Sequence, residues 1–314
     1  MNLIKKKIKY FNTIIIHGHK TPDGDCYGSQ FGLKNIIKNT FPEKKVYVVG
    51  ENNPNLNFIG IFDQVSDSLY KDALVIVVDT GDKNLISDQR FFLGKEIIWI
   101  DHHIKNNIII DDKIHYWIDI SFASCSEMIY ILKEKLNMKL DFKGALAIYV
   151  GILTDSGNFK YDRVNSTTFH IVSELLKYGL NIPEIEQKIH SESLNFLKYK
   201  GYIIKNLIID KGFCYVNISL DILKKFNLSL QEALSAVNLL ENLKENYVWA
   251  LLLEKENNEI KVSIRSRGPE IYNISKKFGG GGHLKACGVI FNSKDKLFLF
   301  FEEIKKSINF FINK

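Results

Sequence analysis

ALVIVVDTGD, residues 73–82, is a run of apolar, mostly β-branched residues that ends in an aspartate. Such a run, without alternation of polar and apolar positions, predicts a strand buried on both faces. Three further runs share its character: TIIIH at 13–17, KVYVVG at 45–50 and EIIWID at 96–101. Amphipathic patterns lie between them, such as Gly28 to Asn39, and predict helices. Strand–helix alternation of this kind predicts an α/β fold, a parallel sheet with helices on both faces. Ligands of such sheets sit beyond the carboxyl ends of the strands. The polar residues of interest fall there.

Helices are predicted around Ser124–Leu136 and Lys143–Leu153, and another after Asn165, where NSTTFHIVSELLKYG offers caps at both ends. The last third changes rhythm. FCYVNIS (213–219), YVWALLLEKE (247–256) and NEIKVSIRSRG (258–268) predict strands, with Asn257-Asn258 as a hairpin turn. Helices fit Leu230–Lys244 and the C-terminal tail. The expected organisation is a catalytic domain over 1–185, a linker helix over 186–207, and a smaller α+β domain over 208–314.

The bulk numbers set limits. The 314 residues are 46% hydrophobic, enough for one or two cores, and 42 Lys+Arg against 36 Asp+Glu leave a formal charge of +6. That mild, scattered excess admits small anionic ligands but lacks the basic stripe of a long nucleic-acid track. Cys26, Cys125, Cys214 and Cys287 form no CxxC pair, so no disulfide framework or structural zinc is expected, and a reducing cytoplasm fits. The basic start is followed by an apolar run too short for a signal peptide, and no stretch is long enough for a membrane span.

Four separated segments bring acidic and imidazole groups to predicted strand ends. They are HKTPDGD with His19, Asp23 and Asp25; VVDTGD with Asp79; IDHH with Asp101, His102 and His103; and LTDSGNF with Asp155. Singly, each has an ordinary reading: a helix cap, an Asx turn, a Pro-Asp-Gly turn, a structural histidine pair. Jointly they place Asp23, Asp25, Asp79 and Asp155 together, and four carboxylates at close quarters resist ionisation. Two divalent cations would cancel that charge. Mixed imidazole and carboxylate donors favour manganese or a similar transition ion over magnesium. A cation pair could clamp a phosphate for in-line attack by hydroxide.

In the last third, Arg265 and Arg267 stand two apart on a predicted strand and so share a face. Guanidinium groups grip phosphate bidentately, although an ordinary solvated strand face would look the same. The GGGG run at 279–282 frees backbone amides for an anion, and His283 follows it. Gly279 also reads as a helix C-cap. Arg163 and Lys160, after TDSGNF, are placed for substrate phosphate or for simple solvation.

HxxxDxD, an aspartate at a strand end, DHH and TDSGNF, in that order, resemble the four motifs of the DHH phosphoesterase superfamily. RSRG followed by GGGGH resembles its DHH-associated C-terminal domain. The resemblance spans nearly the whole chain and is closest to the bacterial nanoRNase/pAp-phosphatase family. It implies that His19 and Asp23 ligate one metal, that Asp25, His102 and Asp155 ligate the other, and that Asp79 bridges them. It further implies that His103 acts beside the scissile phosphate, with Asp101 orienting a histidine. His17 reads as structural or outer-shell. Arg265, Arg267, Gly280, Gly281, Gly282 and His283 would recognise phosphate or a terminal nucleotide. The implied substrates are short oligoribonucleotides or small nucleotides such as pAp or pApA, with two divalent cations, manganese first, and a homodimer as one arrangement.

The alternatives are a pApA or cyclic-dinucleotide phosphodiesterase, a manganese pyrophosphatase, and a non-catalytic nucleotide-binding regulator. RSR and GGGGH weigh against the second, and six intact ligands against the third.

Overall fold

The computed structural model describes every residue except 104–108, 245 and 314. The chain divides into two compact units, Met1–His190 and Ser191–Lys314.

The first unit runs α1 (Asn2–Tyr10), β1 (Thr13–His17), α2 (Gly24–Thr40), β2 (Lys45–Val49), β3 (Leu74–Val78), β4 (Glu96–Asp101), β5 (Ile114–Ile118), α3 (Cys125–Lys135), α4 (Phe142–Asp155), α5 (Ser166–Leu176) and α6 (Ile182–His190). Its sheet is parallel throughout, in the order β2-β1-β3-β4-β5. Alternate strand residues face opposite ways. Ile14, Ile16, Val48, Ile76 and Ile100 meet the α-helices, whereas Ile15, Val75, Val77 and Trp99 meet Tyr70, Ile86 and Phe91. Short 3-10 turns at Asp67–Leu69, Lys83–Leu85 and Gln89–Leu93 cover that second face. The four expected strands are present. A fifth, IHYWI, lies at the edge, where a half-solvated strand leaves a weaker apolar pattern.

Helices α2 and α4 approach closely. A Cβ on Gly28 would lie 2.6 Å from the Ala147 carbonyl oxygen and 2.8 Å from Gly151 Cα. Only a missing side chain lets the two backbones come this near, and overpacking there would cost about 1–3 kcal/mol. The contact sets the N-terminus of α2, with Asp23 and Asp25, beside the C-terminus of α4, with Asp155.

The second unit runs α7 (Leu194–Lys205), β6 (Ile208–Asp210), β7 (Phe213–Ile218), α8 (Leu220–Phe226), α9 (Leu230–Ser235), β8 (Val248–Glu254), β9 (Ile260–Ser266), α10 (Tyr272–Lys277), β10 (Gly281–His283), β11 (Ala286–Phe291) and α11 (Lys294–Ile312). Its mixed sheet has the order β10-β11-β9-β8-β7-β6. One face packs on Phe300, Ile304 and Ile308 of α11; the other packs on Tyr199, Leu223 and Val237. Asn258, at φ 60, sits in the turn between β8 and β9. Residues 186–207, expected as one linker helix, hold the end of α6 and all of α7, with the division between units after His190. The single helix expected over 230–244 breaks instead. After Ser235 it tightens to a 3-10 turn, Ala236–Leu240. The carbonyls beyond are taken by side chains: Asn246 Nδ2 donates to Leu240 O at 3.0 Å, and Arg267 Nη2 donates to Leu243 O and Lys244 O, each at 2.9 Å.

Candidate metal centre

The centre lies past the carboxyl ends of β1, β3 and β4. Asp23 caps α2, its Oδ1 accepting the amides of Asp25 and Cys26, each at 3.0 Å. The turn reading of this segment and the ligand reading therefore coexist. Asp25 is buried, and its two oxygens accept the Cys125 and Ser126 amides at the start of α3, at 2.7 and 2.8 Å. Asp79 leaves β3 with φ 49, a left-handed conformation that aspartate tolerates better than most residues. Its amide is held by Ile100 O at 3.0 Å.

The potential ligand atoms form two groups joined by Asp79. His19 Nε2 lies 3.6 Å from Asp23 Oδ1 and 3.5 Å from Asp79 Oδ2. His102 Nε2 lies 3.2 Å from Asp155 Oδ2, 3.5 Å from Asp79 Oδ1 and 3.8 Å from Asp25 Oδ2. Asp79 thus turns one oxygen to each group. His19, Asp23 and Asp79; Asp25, His102 and Asp155; and Asp79, His102 and His103 each bring ligand atoms within 4.8 Å of one another.

The donors also fit a cation by what they lack. Asp79 Oδ1 and His102 Nε2 are buried without a hydrogen-bond partner among the described residues. Asp155 is the last residue of α4, where the helix dipole opposes negative charge. Burial, helped by Asp79 and Asp23, pushes its carboxyl up to about 7 against the pull of His102. Burial and the carboxylates of Asp79 and Asp155 push Asp25 well above the usual range. Burial alone would lower His102, yet Asp79, Asp25 and Asp155 raise it to about 10. Burial would raise Asp79, but the imidazoles of His102 and His19 hold it far below the ordinary value. Without cations, the protein balances its carboxylates with protonated histidines. Divalent ions would replace those protons.

The histidines are oriented from outside. His102 Nδ1 lies 3.3 Å from the acceptor Phe122 O and 3.5 Å from the donor Arg163 Nη1; the shorter contact favours the proton on Nδ1, which leaves Nε2 for a metal. Arg163 Nη1 donates to His102 O at 3.3 Å, so this residue braces the histidine backbone. His103 Nδ1 donates to Asp101 Oδ1 at 2.8 Å, and the His103 amide meets the same oxygen at 3.2 Å. His17 is buried on the other face, with Nε2 3.2 Å from Tyr70 Oη, outside the ligand sets.

In the second unit, register pairs Ala286 with both Arg265 and His283, so all three share one face across β9, β11 and β10. Arg265 Nη1 donates to Ile264 O at 3.0 Å. Arg267 goes elsewhere: Nε donates to Asn246 O at 2.8 Å, and Nη2 serves the loop carbonyls already described. Its geometry is that of a loop brace rather than a partner to Arg265. The glycines divide too. The cap of α10 is Phe278, one residue before the expected position, and Gly279 follows it in the left-handed region at φ 79. A Cβ on Gly280 would lie 2.5 Å from Gly288 O, and one on Gly282, at φ 136, would lie 2.2 Å from Ala286 O. Gly281 meets nothing within 4 Å.

Sequence reasoning missed the brace from Arg163, the Phe122 carbonyl and the close approach at Gly28. The glycine spacing Gly24, Gly28 and Gly32 along one helical face was the available signal for the last. Backbone acceptors leave none.

Comparison with known proteins places this architecture in a class. The DHH family, N-terminal domain, matches residues 13–152, and the DHHA1 domain matches residues 210–309. The chain belongs to the DHH family, whose phosphoesterases use divalent metals. It is 40% identical over 290 residues to the probable bifunctional oligoribonuclease and PAP phosphatase NrnA of Streptococcus mutans, covering 91% of each chain. It is 37% identical to the bifunctional oligoribonuclease and PAP phosphatase NrnA of Bacillus subtilis, covering 93% of each. Among solved structures, an exopolyphosphatase-related protein from Bacteroides fragilis superposes with a TM-score of 0.88 at 25% identity, covering 98% of this chain and 97% of the other.

Proposed function

We propose that this chain is a manganese-dependent phosphoesterase that hydrolyses short oligoribonucleotides to 5′-mononucleotides and pAp to AMP. The observation that carries the reading is Asp79, with one oxygen turned to His19 and the other to His102. His19, Asp23 and Asp79 would hold one cation; Asp25, Asp79, His102 and Asp155 would hold the second. Bound cations would neutralise the carboxylates and polarise the phosphate. Imidazole donors support manganese over magnesium.

Both reactions break the same bond. Release of a 5′-mononucleotide cleaves P–O3′, and so does removal of the 3′-phosphate of pAp. In each, water oxygen bonds to phosphorus and the 3′-oxygen leaves and takes a proton. His103 is suited to donate it. Burial would lower its pKa, but Asp101 and Asp79 raise it and favour the protonated ring. Asp101 holds Nδ1 and leaves Nε2 for the leaving oxygen. Arg265 and His283, two strands apart and so about 10 Å, would grip the nucleotide, with Gly281 open beside them. Among the described residues no helix is long and apolar enough to cross a membrane, and all four cysteines are free and buried, which supports action in the cytoplasm.

A substrate panel with manganese tests the reading: pAp, pApA, two- to five-mers, 24-mers, cyclic di-AMP and pyrophosphate. Turnover of the short oligomers and pAp is expected. Hydrolysis of pyrophosphate or cyclic di-AMP alone, or binding without turnover, would overturn it.

A further inference from the structure

His19 can offer Nε2 to a cation only while its other nitrogen carries the proton. Nδ1 lies 2.8 Å from Lys20 O. A carbonyl only accepts, so this contact fixes the proton on Nδ1. The same carbonyl accepts from Thr21 Oγ1 at 2.7 Å. On the far side of that peptide group, the Thr21 N–H donates to Glu51 Oε2 at 2.8 Å. One peptide plane therefore links a carboxylate to a ligand histidine.

The plane is held under strain. Thr21 has φ 51. A β-branched residue in that region costs of order 1–3 kcal/mol and persists only where its surroundings enforce it. A flip of the Lys20–Thr21 peptide would relieve the strain, but would turn the carbonyl away from His19. Glu51 opposes the flip because it accepts the amide. The loop carrying Glu51 is itself fastened to the motif: Asn53 Nδ2 donates to Pro22 O at 3.0 Å, and the Asn53 amide donates to Tyr27 Oη at 2.7 Å.

We propose that Glu51, which touches no candidate ligand, is a positioning residue for the first metal site. Through the Lys20–Thr21 peptide it sets the tautomer and ring orientation of His19. The proposal rests on the two-cation reading above. Outer partners of this kind are worth roughly 10–100-fold in metal affinity.

The test is calorimetric titration of the metal-free full chain with Mn²⁺, comparing the unmodified protein, Glu51→Ala and Glu51→Gln. Glu51 is exposed, so folding should survive, and thermal melting of the metal-free variants checks this. Glu51→Ala should lose roughly tenfold or more in affinity for one of two equivalents and keep the other. Glu51→Gln retains an acceptor oxygen and should stay close to the unmodified protein. Activity of Glu51→Ala should fall at limiting Mn²⁺ and recover at saturation. Unchanged affinity in Glu51→Ala, or a loss in Glu51→Gln as large as in Glu51→Ala, overturns the role of Glu51. Failure of the unmodified chain to take up two equivalents brings down the two-cation reading and this proposal with it.

Discussion

The candidate metal centre of the first unit and the Arg265–His283 face of the second handle charge in opposite ways. At the centre, carboxylates and imidazoles are buried together, and Asp79 Oδ1 and His102 Nε2 have no hydrogen-bond partner among the described residues. Such groups are costly unless a ligand completes them. In the second unit Arg265 is half-buried and donates to Ile264 O, and Arg267 gives three hydrogen bonds to backbone carbonyls. A site that needs a cation shows itself by what is missing. A candidate nucleotide surface gives no such sign.

The contrast predicts where damage is greatest. Asp79→Ala removes an oxygen from both ligand groups at once. Hydrolysis of every substrate should be lost, and Mn²⁺ uptake should fall below two equivalents by calorimetry; unchanged turnover would sink the bridging assignment. His103→Ala should be milder. It should lower kcat by roughly 10²–10⁴-fold, the usual range for a general acid, while metal stoichiometry stays at two. A loss of metal with His103 would make it a ligand, as the third grouping with Asp79 and His102 allows.

Proton balance sharpens the comparison further. Asp155, at about 7, and His102, at about 10, both lie above their ordinary values of 3.8 and 6.5. Each therefore holds its proton more tightly in the folded, metal-free chain. The stabilisation from Asp155 fades as pH rises toward 7, and that from His102 fades between about 6.5 and 10. The metal-free melting temperature should accordingly fall from pH 6 to pH 8. Metal must displace those protons, so the gain on adding Mn²⁺ should be larger at pH 8 than at pH 6. Equal gains at both values would show that the site is already deprotonated.

The sequence made the candidate cluster readable because its carboxylates and imidazoles are chemically distinctive residue types at fixed positions after apolar strands. Asp79 and Asp101 could be placed by counting along ALVIVVD and EIIWID. The supports were not readable. Lys20 O, Phe122 O and the left-handed backbone of Thr21 belong to the main chain and carry no residue-type signature. The strand spacing of Arg265 and Arg267 was also an incomplete guide. β9 ends at Ser266, so the period-two rule stops before Arg267, which turns to the carbonyls of Leu243, Lys244 and Asn246. The break in the helix expected over 230–244 has a related origin, since Asn246 and the more distant Arg267 supply its acceptors with side-chain partners.

That pair of arginines gives the finest test, with the smallest expected effect last. Arg265→Ala should raise KM for a dinucleotide by roughly 10-fold or more, as expected for a lost charged contact of 1.5–3 kcal/mol, and lower the melting temperature by less than the loss of Arg267 does. Arg267→Ala should do the reverse. Two of its carbonyl contacts, to Leu243 and Lys244, are exposed and those oxygens can turn to water, whereas the contact to Asn246 is part-buried, so the loss should be about 1–2 kcal/mol. For a protein of this size that is a drop of a few degrees in melting temperature, with KM unaltered. Steady-state kinetics and thermal melting on the two variants separate the roles. A raised KM in Arg267→Ala with unchanged melting would restore the two arginines to a shared face. It would also mean that the loop carbonyls compete with substrate for one guanidinium.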